Sequence, residues 1–578
     1  MNYNTFKALS QRVVNYMKNL RHAADFCVVG GGMAGVCAAI AAARRGIKTV
    51  LVQDRGVLGG NASSEIRMWI CGAHGRDNRE TGIIEEIMLE NFYQNPQLSY
   101  PLWDQVLFQK VSMQENLTLL LNCSCLDALC ENGRILSIKA WQSPCETMHT
   151  VEAAFFADCS GDSILAPLTN ASYRYGREAA SEFGESIEPE TADKRTMGMS
   201  CLFQVRETER PQRFTPPEWA YKYPEDKDLP FREHDLSSNF WWIELGGDGD
   251  CIHDTDKCRD ELLKIAYGVW DHIKNHGDHG AENYVLDWVG LLPGKRESRR
   301  YVGKYTVSQK DVESGGRFDD TVAYGGWSMD DHFPAGFNHK SSYPTVFHPA
   351  PSPWGIPFRA LCSENIENLL FAGRNISVTH AALSSSRVMA TCAVLGQAVG
   401  TAAAQMVRGG ENTDSINIEK LQDALMADDC FLPEKQRRVS SLSKNLYCNS
   451  ETVRNGKDRG DENKWVGKKG DFLEYRSDKP FALSGIRLVF DSDLNRDYQN
   501  MPCCIKLNED RFKLPKTLIK DFDIILDYED GREETLNYRN IHTRLLNISI
   551  NRSVVGVKFL PISTYGSETF NVFDFEVV

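Results

Sequence analysis

Residues 25–54 read DFCVVGGGMAGVCAAIAAARRGIKTVLVQD. The apolar run Phe26-Cys27-Val28-Val29 has the length and β-branched content of a strand, and the Ala-rich stretch up to Arg45 has those of a helix. Between them stands Gly30-Gly31-Gly32-Met33-Ala34-Gly35. Gly46 stops the helix, and residues 48–53 form a second strand that ends at Asp54. The unit is βαβ. Gly30 permits a tight turn, Gly32 lets a pyrophosphate approach the backbone, and Gly35 lets helix and strand pack closely, while the helix N-terminus presents free N–H groups. Asp54 is placed to accept hydrogen bonds from ribose hydroxyls and disfavours a 2′-phosphate. A dinucleotide site is expected, against the alternative of an ordinary structural turn.

Outward from this unit, a second glycine-rich loop follows at once, Arg55-Gly56-Val57-Leu58-Gly59-Gly60-Asn61-Ala62. Residues 101–116 have helical spacing. Residues 117–141 read as two strands around the turn Glu131-Asn132-Gly133, and a strand over 151–157 runs into Asp158-Cys159-Ser160-Gly161-Asp162. Residues 176–360 are richer in Trp, Pro, His and charge and lose the βα alternation, so they read as an inserted α+β domain. The parallel-sheet signal returns at 368–372, followed by Gly373-Arg374 and a small-residue helix over about 386–407. Beyond residue 440, short alternating segments between Asp, Asn and Gly turns read as an all-β sandwich. The expected class is α/β, with a Rossmann-type nucleotide-binding domain in two parts (23–175 and 361–440). The insertion spans 176–360, the sandwich spans 441–578, and an amphipathic helix is expected over 1–22.

The 578 residues are 42% hydrophobic and 25% charged, the composition of a globular chain. Lys and Arg number 65 against 79 Asp and Glu, a net charge of −14, and no stretch gathers the basic patch that phosphate-backbone binding needs. Nucleic acid is not an expected partner. No apolar run reaches the roughly 18 residues of a membrane helix, so no membrane span is expected. The 17 cysteines are odd in number and scattered through apolar runs, which suits reduced thiols. The first 20 residues lack an export signal, and the expected compartment is cytoplasmic.

Three distant stretches resemble the two-dinucleotide-binding flavoproteins of the glutathione-reductase-like group: the βαβ unit, Asp158 to Asp162, and Asn368 to Arg374 with the helix through Gly396-Gln397-Ala398-Val399-Gly400. Within that group the chain most resembles the FAD-dependent oxidoreductases related to the flavin module of heterodisulfide reductase. The marks of the resemblance are Gly59-Gly60-Asn61-Ala62, Ser160-Gly161-Asp162, Lys295-Arg296-Glu297-Ser298-Arg299-Arg300, and Thr379-His380-Ala381-Ala382 through Arg387. It covers about residues 24–408. It implies FAD as cofactor, held by Gly30, Gly32, Met33, Ala34, Gly35, Asp54, Arg55, Gly59, Gly60, Asn61, Ala62, Cys125, Ser160, Gly161, Asp162, Gly373, Arg374 and Arg387. It also implies that the last helix aims its N-terminus at the flavin ring.

The chain lacks the redox cysteine pair and second glycine fingerprint of a disulfide reductase. It also lacks the cysteine runs of an iron–sulfur protein. Cys123-Ser124-Cys125 and Cys503-Cys504 read as structural. Cys251, His253 and Cys258 lie in a polar loop, and no metal site is expected. His380 is expected near the flavin as acid or base. Arg296 and Arg299 either face flavin and substrate or form a solvated or salt-bridged turn. His74 either lines the site, tethers flavin covalently or is structural. The aromatic stretch 327–354, with His332, His339 and His348, is a candidate substrate wall. Residues 481–494, with Trp465 upstream, resemble a galactose-binding or discoidin-type sandwich, which implies either sugar binding or a packing role. The expected activity is hydride transfer between a small polar substrate, with a carbohydrate or glycoside hydroxyl carbon as first candidate, and flavin N5, the electrons passing to an unidentified acceptor. Reduction of an unsaturated carboxylic acid is the alternative, and a non-catalytic flavin-stabilised sugar-binding protein is the second.

Overall fold

The computed structural model describes residues 17–498, 500–502 and 512–578. Its nucleotide-binding sheet is built from β1 (Phe26–Val29), β2 (Thr49–Val52), β3 (Leu117–Leu120) and β4 (Phe155–Asp158), with helix α1 (Met33–Arg44) crossing between β1 and β2. The fifth strand, β5 (Leu369–Phe371), arrives after the insertion, which carries the long helix α2 (Thr255–Asn275). The spatial order is β5-β4-β1-β2-β3, all parallel. After β5 come the short helix α3 (His380–Ser386) and the long helix α4 (Met389–Gly409).

Helix α4 packs directly on α1. A Cβ at Gly396 would lie 2.0 Å from the Ala34 carbonyl oxygen, and one at Gly400 2.1 Å from that of Ala38, so the two backbones meet at a distance only glycine allows. By length and composition α4 could cross a membrane, but 94% of its most apolar window is buried inside the protein. It is a core helix.

Two sequence expectations are revised. Residues 1–16 of the expected N-terminal helix lie outside the described residues, and Lys18–Ala23 forms a strand paired in parallel with Thr147–Glu152. An alternating polar and apolar pattern serves either period, and here the unpaired edge of a neighbouring sheet supplies the backbone partners. The expected pair of strands over 117–141 is three, because Asn122, at positive φ, breaks β3 from the hairpin Cys123–Glu131 and Arg134–Gln142. That hairpin joins Thr147–Glu152 and Lys18–Ala23 in a separate four-stranded sheet. Cys503-Cys504 lies outside the described residues.

The insertion has short sheets, α2 and a hydrophobic core of its own around Phe203, Phe240, Trp242 and Trp270. The C-terminal unit is antiparallel throughout, with two long strands, Leu473–Phe490 and Leu545–Thr564, bent at register shifts. They enclose an aromatic core of Tyr475, Phe490, Phe522, Phe559 and Phe575. This unit is bolted to the nucleotide-binding part: buried Arg496 pairs with buried Glu85, 2.9 Å from its Oε1, and Arg544 Nε lies 3.0 Å from Asp429.

Candidate functional site

The turn from β1 to α1 has Gly30 at φ +103, and a Cβ at Gly35 would lie 1.8 Å from the Gly30 carbonyl oxygen. The first turn of α1 carries no acidic residue and no side-chain cap, leaving backbone donors and the positive end of the helix dipole available to an anion. The Gly59–Ala62 loop lies alongside, with Gly59 N–H donating to the Gly31 carbonyl at 2.8 Å. Asp54 and Arg55 stand at the end of β2, as the sequence placed them.

The end of β4 forms the opposite bank. Asp158 is buried and accepts hydrogen bonds from Ser160 N–H (2.9 Å), Leu165 N–H (2.9 Å) and Tyr301 Oη (2.7 Å), so one carboxylate shapes the whole turn. Asp162 binds Lys295 Nζ and Arg374 Nη2, both at 2.7 Å, and accepts from Ser298 Oγ at 2.8 Å. Burial alone would raise the Asp162 carboxyl, but Arg374 and Lys295 outweigh it and hold it at about 2. Strand β5 delivers Arg374, and the insertion delivers Lys295.

A cavity of about 850 Å³ runs between these banks and on into the insertion. Its far end is lined by Asn239, Trp241, Arg296, Trp327, Asp330, His332, Tyr343, Phe347 and Arg387. Buried Glu244 stands behind this wall. His332 Nδ1 lies 2.7 Å from Glu244 Oε2, and its Nε2 lies 3.2 Å from Asp330 Oδ2. Arg296 Nη1 lies 3.4 Å from Glu244 Oε1 and donates to Ser200 Oγ at 2.8 Å, and Arg387 Nη2 lies 3.0 Å from Asp330 Oδ2. Burial would raise the Asp330 and Glu244 carboxyls. His332 and Arg387 outweigh it at Asp330, Arg296 and His332 outweigh it at Glu244, and both acids stay below the usual range. The N-terminus of α4, uncapped by any side chain, brings Val388 and Met389 to the same cavity.

Of the residues expected to hold a cofactor, Gly30, Gly32, Met33, Ala34, Asp54, Arg55, Gly59, Gly60, Asn61, Cys125, Ser160, Gly161, Asp162, Gly373, Arg374 and Arg387 line this cavity. Gly35 and Ala62 stand behind its wall. Of the four expected catalytic groups only Arg296 is on the wall. His380 is buried behind it, with Nδ1 2.9 Å from Glu297 and Nε2 3.2 Å from Asp331. Arg299 donates to the Asp162 carbonyl at 3.3 Å and lies over the Tyr173 ring. His74 stacks on Trp327, ring centroids 4.2 Å apart, and faces a second cavity of about 370 Å³ on the other side of that indole.

The 295–300 segment is salt-bridged rather than solvated. Arg296, Glu297 and Arg300 are buried, and Arg300 pairs with Glu178 and Glu297. His332 was legible only as one of three histidines in an aromatic stretch. What singles it out is the strand Met329–His332, whose period of two sends Asp330 and His332 to one face and Asp331 to the other. Glu244 carries no sequence signal at all.

The description of the family model matching residues 25–425 is FAD dependent oxidoreductase. No curated protein matches the chain. Among solved structures, the family 32 carbohydrate-binding module of Streptococcus pneumoniae EndoD is 12% identical and covers 24% of this chain and 99% of its own, with a TM-score of 0.19. Mycobacterium smegmatis Sdh1 in complex with UQ1 is also 12% identical, covering 71% of this chain and 73% of its own, with a TM-score of 0.29.

Proposed function

The chain belongs to the FAD-dependent oxidoreductase family, and from that premise we propose that it oxidises a hydroxyl-bearing carbon of a small polar substrate, with the His332–Asp330 pair as the proton acceptor. FAD is the cofactor, and the residues present suit it. Gly32 and Gly60 leave a cradle that side chains would fill, α1 offers uncapped N–H groups, and Arg55 Nη1 and Arg374 Nε are buried donors with no hydrogen-bond partner. The β1–α1 turn, Asp54, Arg55 and the Gly59–Ala62 loop would hold the nucleotide half. Bound FAD supplies a hydride acceptor, and the remaining work falls to the protein's own groups.

The observation that carries the reading is the Glu244–His332–Asp330 chain. Ionised Glu244 only accepts hydrogen bonds, so it holds a proton on His332 Nδ1, while Nε2 meets Asp330 Oδ2 at 3.2 Å on the cavity wall. A proton taken from a substrate hydroxyl into the Nε2–Asp330 contact leaves the ring an imidazolium between two carboxylates. Asp330 stabilises that charge, while Arg387 and Arg296 keep the pair of acids ionised. A base positioned in this way is worth roughly 10²–10⁴ in rate. Trp241, Trp327, Tyr343 and Phe347 give the same end apolar faces that exclude water and suit the C–H faces of a sugar ring, which makes a carbohydrate or glycoside the first class to test.

Reduction of an unsaturated acid would use a guanidinium free to clamp a carboxylate, and Arg296 and Arg387 are both engaged by Glu244 and Asp330. A non-catalytic binding role gives no reason for burying so many ionised groups beside the cavity, an arrangement that costs stability. The test is anaerobic: the FAD-loaded protein is mixed with sugars, glycosides, hydroxy acids and enoates while flavin absorbance is followed. Bleaching by a hydroxylated donor supports the proposal. Reoxidation of dithionite-reduced protein by an enoate, with no donor bleaching, overturns it.

A further inference from the structure

Outside the cavity lining, the insertion gathers three histidines and an aspartate. We propose that Asp226, His234, His272 and His279 bind a divalent zinc ion that clips the loop over 208–243 to the end of α2. One donor atom from each of the four side chains lies within 4.8 Å of the others. His272 Nε2 is 3.2 Å from both Asp226 Oδ1 and His279 Nε2, and His234 Nε2 and His279 Nε2 are each 3.9 Å from the same carboxylate oxygen. Tetrahedral zinc with bonds of about 2.0–2.1 Å sets its ligand atoms about 3.3–3.4 Å apart. The closer contacts already have that spacing.

The outer nitrogens show which way the lone pairs point. His272 Nδ1 lies 2.7 Å from the Tyr223 carbonyl oxygen, and His234 Nδ1 lies 2.5 Å from that of Arg232. A carbonyl only accepts, so each ring carries its proton on Nδ1 and turns an unprotonated Nε2 inward. This is the outer-shell arrangement that orients histidine toward a metal. The three rings pack edge to face, with centroids 4.9–5.2 Å apart and interplanar angles of 60–74°, so their inner nitrogens converge on one point. His272 is 1% exposed, and its inner nitrogen faces that of His279 at 3.2 Å, an approach that a shared cation would satisfy. The site also sits at the C-terminal turn of α2, where the helix dipole favours positive charge.

Three nitrogens and one carboxylate oxygen suit zinc. With four protein ligands the role is structural. Between the strands Phe203–Glu207 and Glu244–Leu245 the chain has one 3-10 turn, Asp226–Asp228, as its regular structure, and the same loop carries Asn239 and Trp241 to the cavity wall. A clip at Asp226 and His234 would hold that wall in place and lower the entropy of the long loop.

The experiment measures metal per chain in the full-length, FAD-loaded protein after equilibration with zinc ion and removal of the excess, with X-ray absorption at the zinc edge to count imidazole ligands. Expected are about one zinc per chain with three imidazoles, its loss in His279→Ala and Asp226→Asn with flavin content unchanged, and a lower Tm on chelation in the parent protein only. Both substitutions lie at the outer side of the cluster, where folding is least at risk. A parent protein that retains no zinc, or variants that retain as much as the parent, would overturn the proposal.

Discussion

Asp330 and Asp331 are consecutive on one strand yet serve different histidines: Asp330 meets His332 on the cavity wall at 3.2 Å, and Asp331 meets His380 behind it at 3.2 Å. The strand's alternation thus separates the group on the cavity wall from the group that supports it.

His380 is the supporting group. Burial alone would lower its pKa, but Glu297 and Asp331 outweigh burial and hold it well above 6.5 as an imidazolium, unfit to serve as a base near neutrality. Substituting His380→Gln leaves buried Glu297 with Arg300 as its remaining cation and half-buried Asp331 without its partner, and should cost about 1–3 kcal/mol of stability. Because the folded-state pKa is raised, the parent's advantage is full below about pH 6.5 and fades as pH rises through the folded value. Tm against pH for parent and variant checks this, with flavin reduction per folded holoenzyme far less affected than by substitution of His332.

Asp162 has the opposite sign. Its carboxyl is held at about 2 against an ordinary 3.8, burial being outweighed by Arg374 and Lys295, so its contribution is present above about pH 4 and is lost as pH falls toward 2. Asp162→Asn should lower stability by about 1–3 kcal/mol at neutral pH. It should also flatten the acid limb of stability against pH, read by flavin fluorescence on release.

His74 faces the second cavity across Trp327. Replacing it with Ala should leave FAD content unchanged. Acid precipitation should release free flavin from parent and variant alike.

Arg496 and Glu85 join the C-terminal β unit to the nucleotide-binding part, and both are buried. Removing the cation with Arg496→Ala should cost about 3–5 kcal/mol, because Glu85 stays behind unpaired. Calorimetry should resolve one transition in the parent and two in the variant, the C-terminal unit melting first.

The nucleotide half was legible in the sequence because each requirement there is local. A turn needs glycine, a helix needs its start, and Asp54 stands two residues past its strand. The far end was legible only in Arg296 and in the aromatic stretch that holds His332, because Glu244, His332 and Arg296 come from three separate parts of the insertion and meet only through tertiary packing. His380 illustrates the difference. Its position after Gly373-Arg374 pointed correctly to the neighbourhood of the cavity, but only the side-chain partners reveal that it faces away from the wall. The edge strand Lys18–Ala23 escaped for a related reason, since its pairing partner lies at Thr147–Glu152.

The central claim is that the His332–Asp330 pair, oriented by Glu244, takes the substrate proton. The most direct measurement is anaerobic stopped-flow reduction of the flavin in parent and His332→Gln by whichever hydroxylated donor bleaches the parent, with FAD per chain and Tm determined on both. A fall of roughly 10²–10⁴-fold in the reduction rate, at unchanged FAD content and Tm, is the predicted result. A variant that reduces its flavin at the parent rate would contradict it.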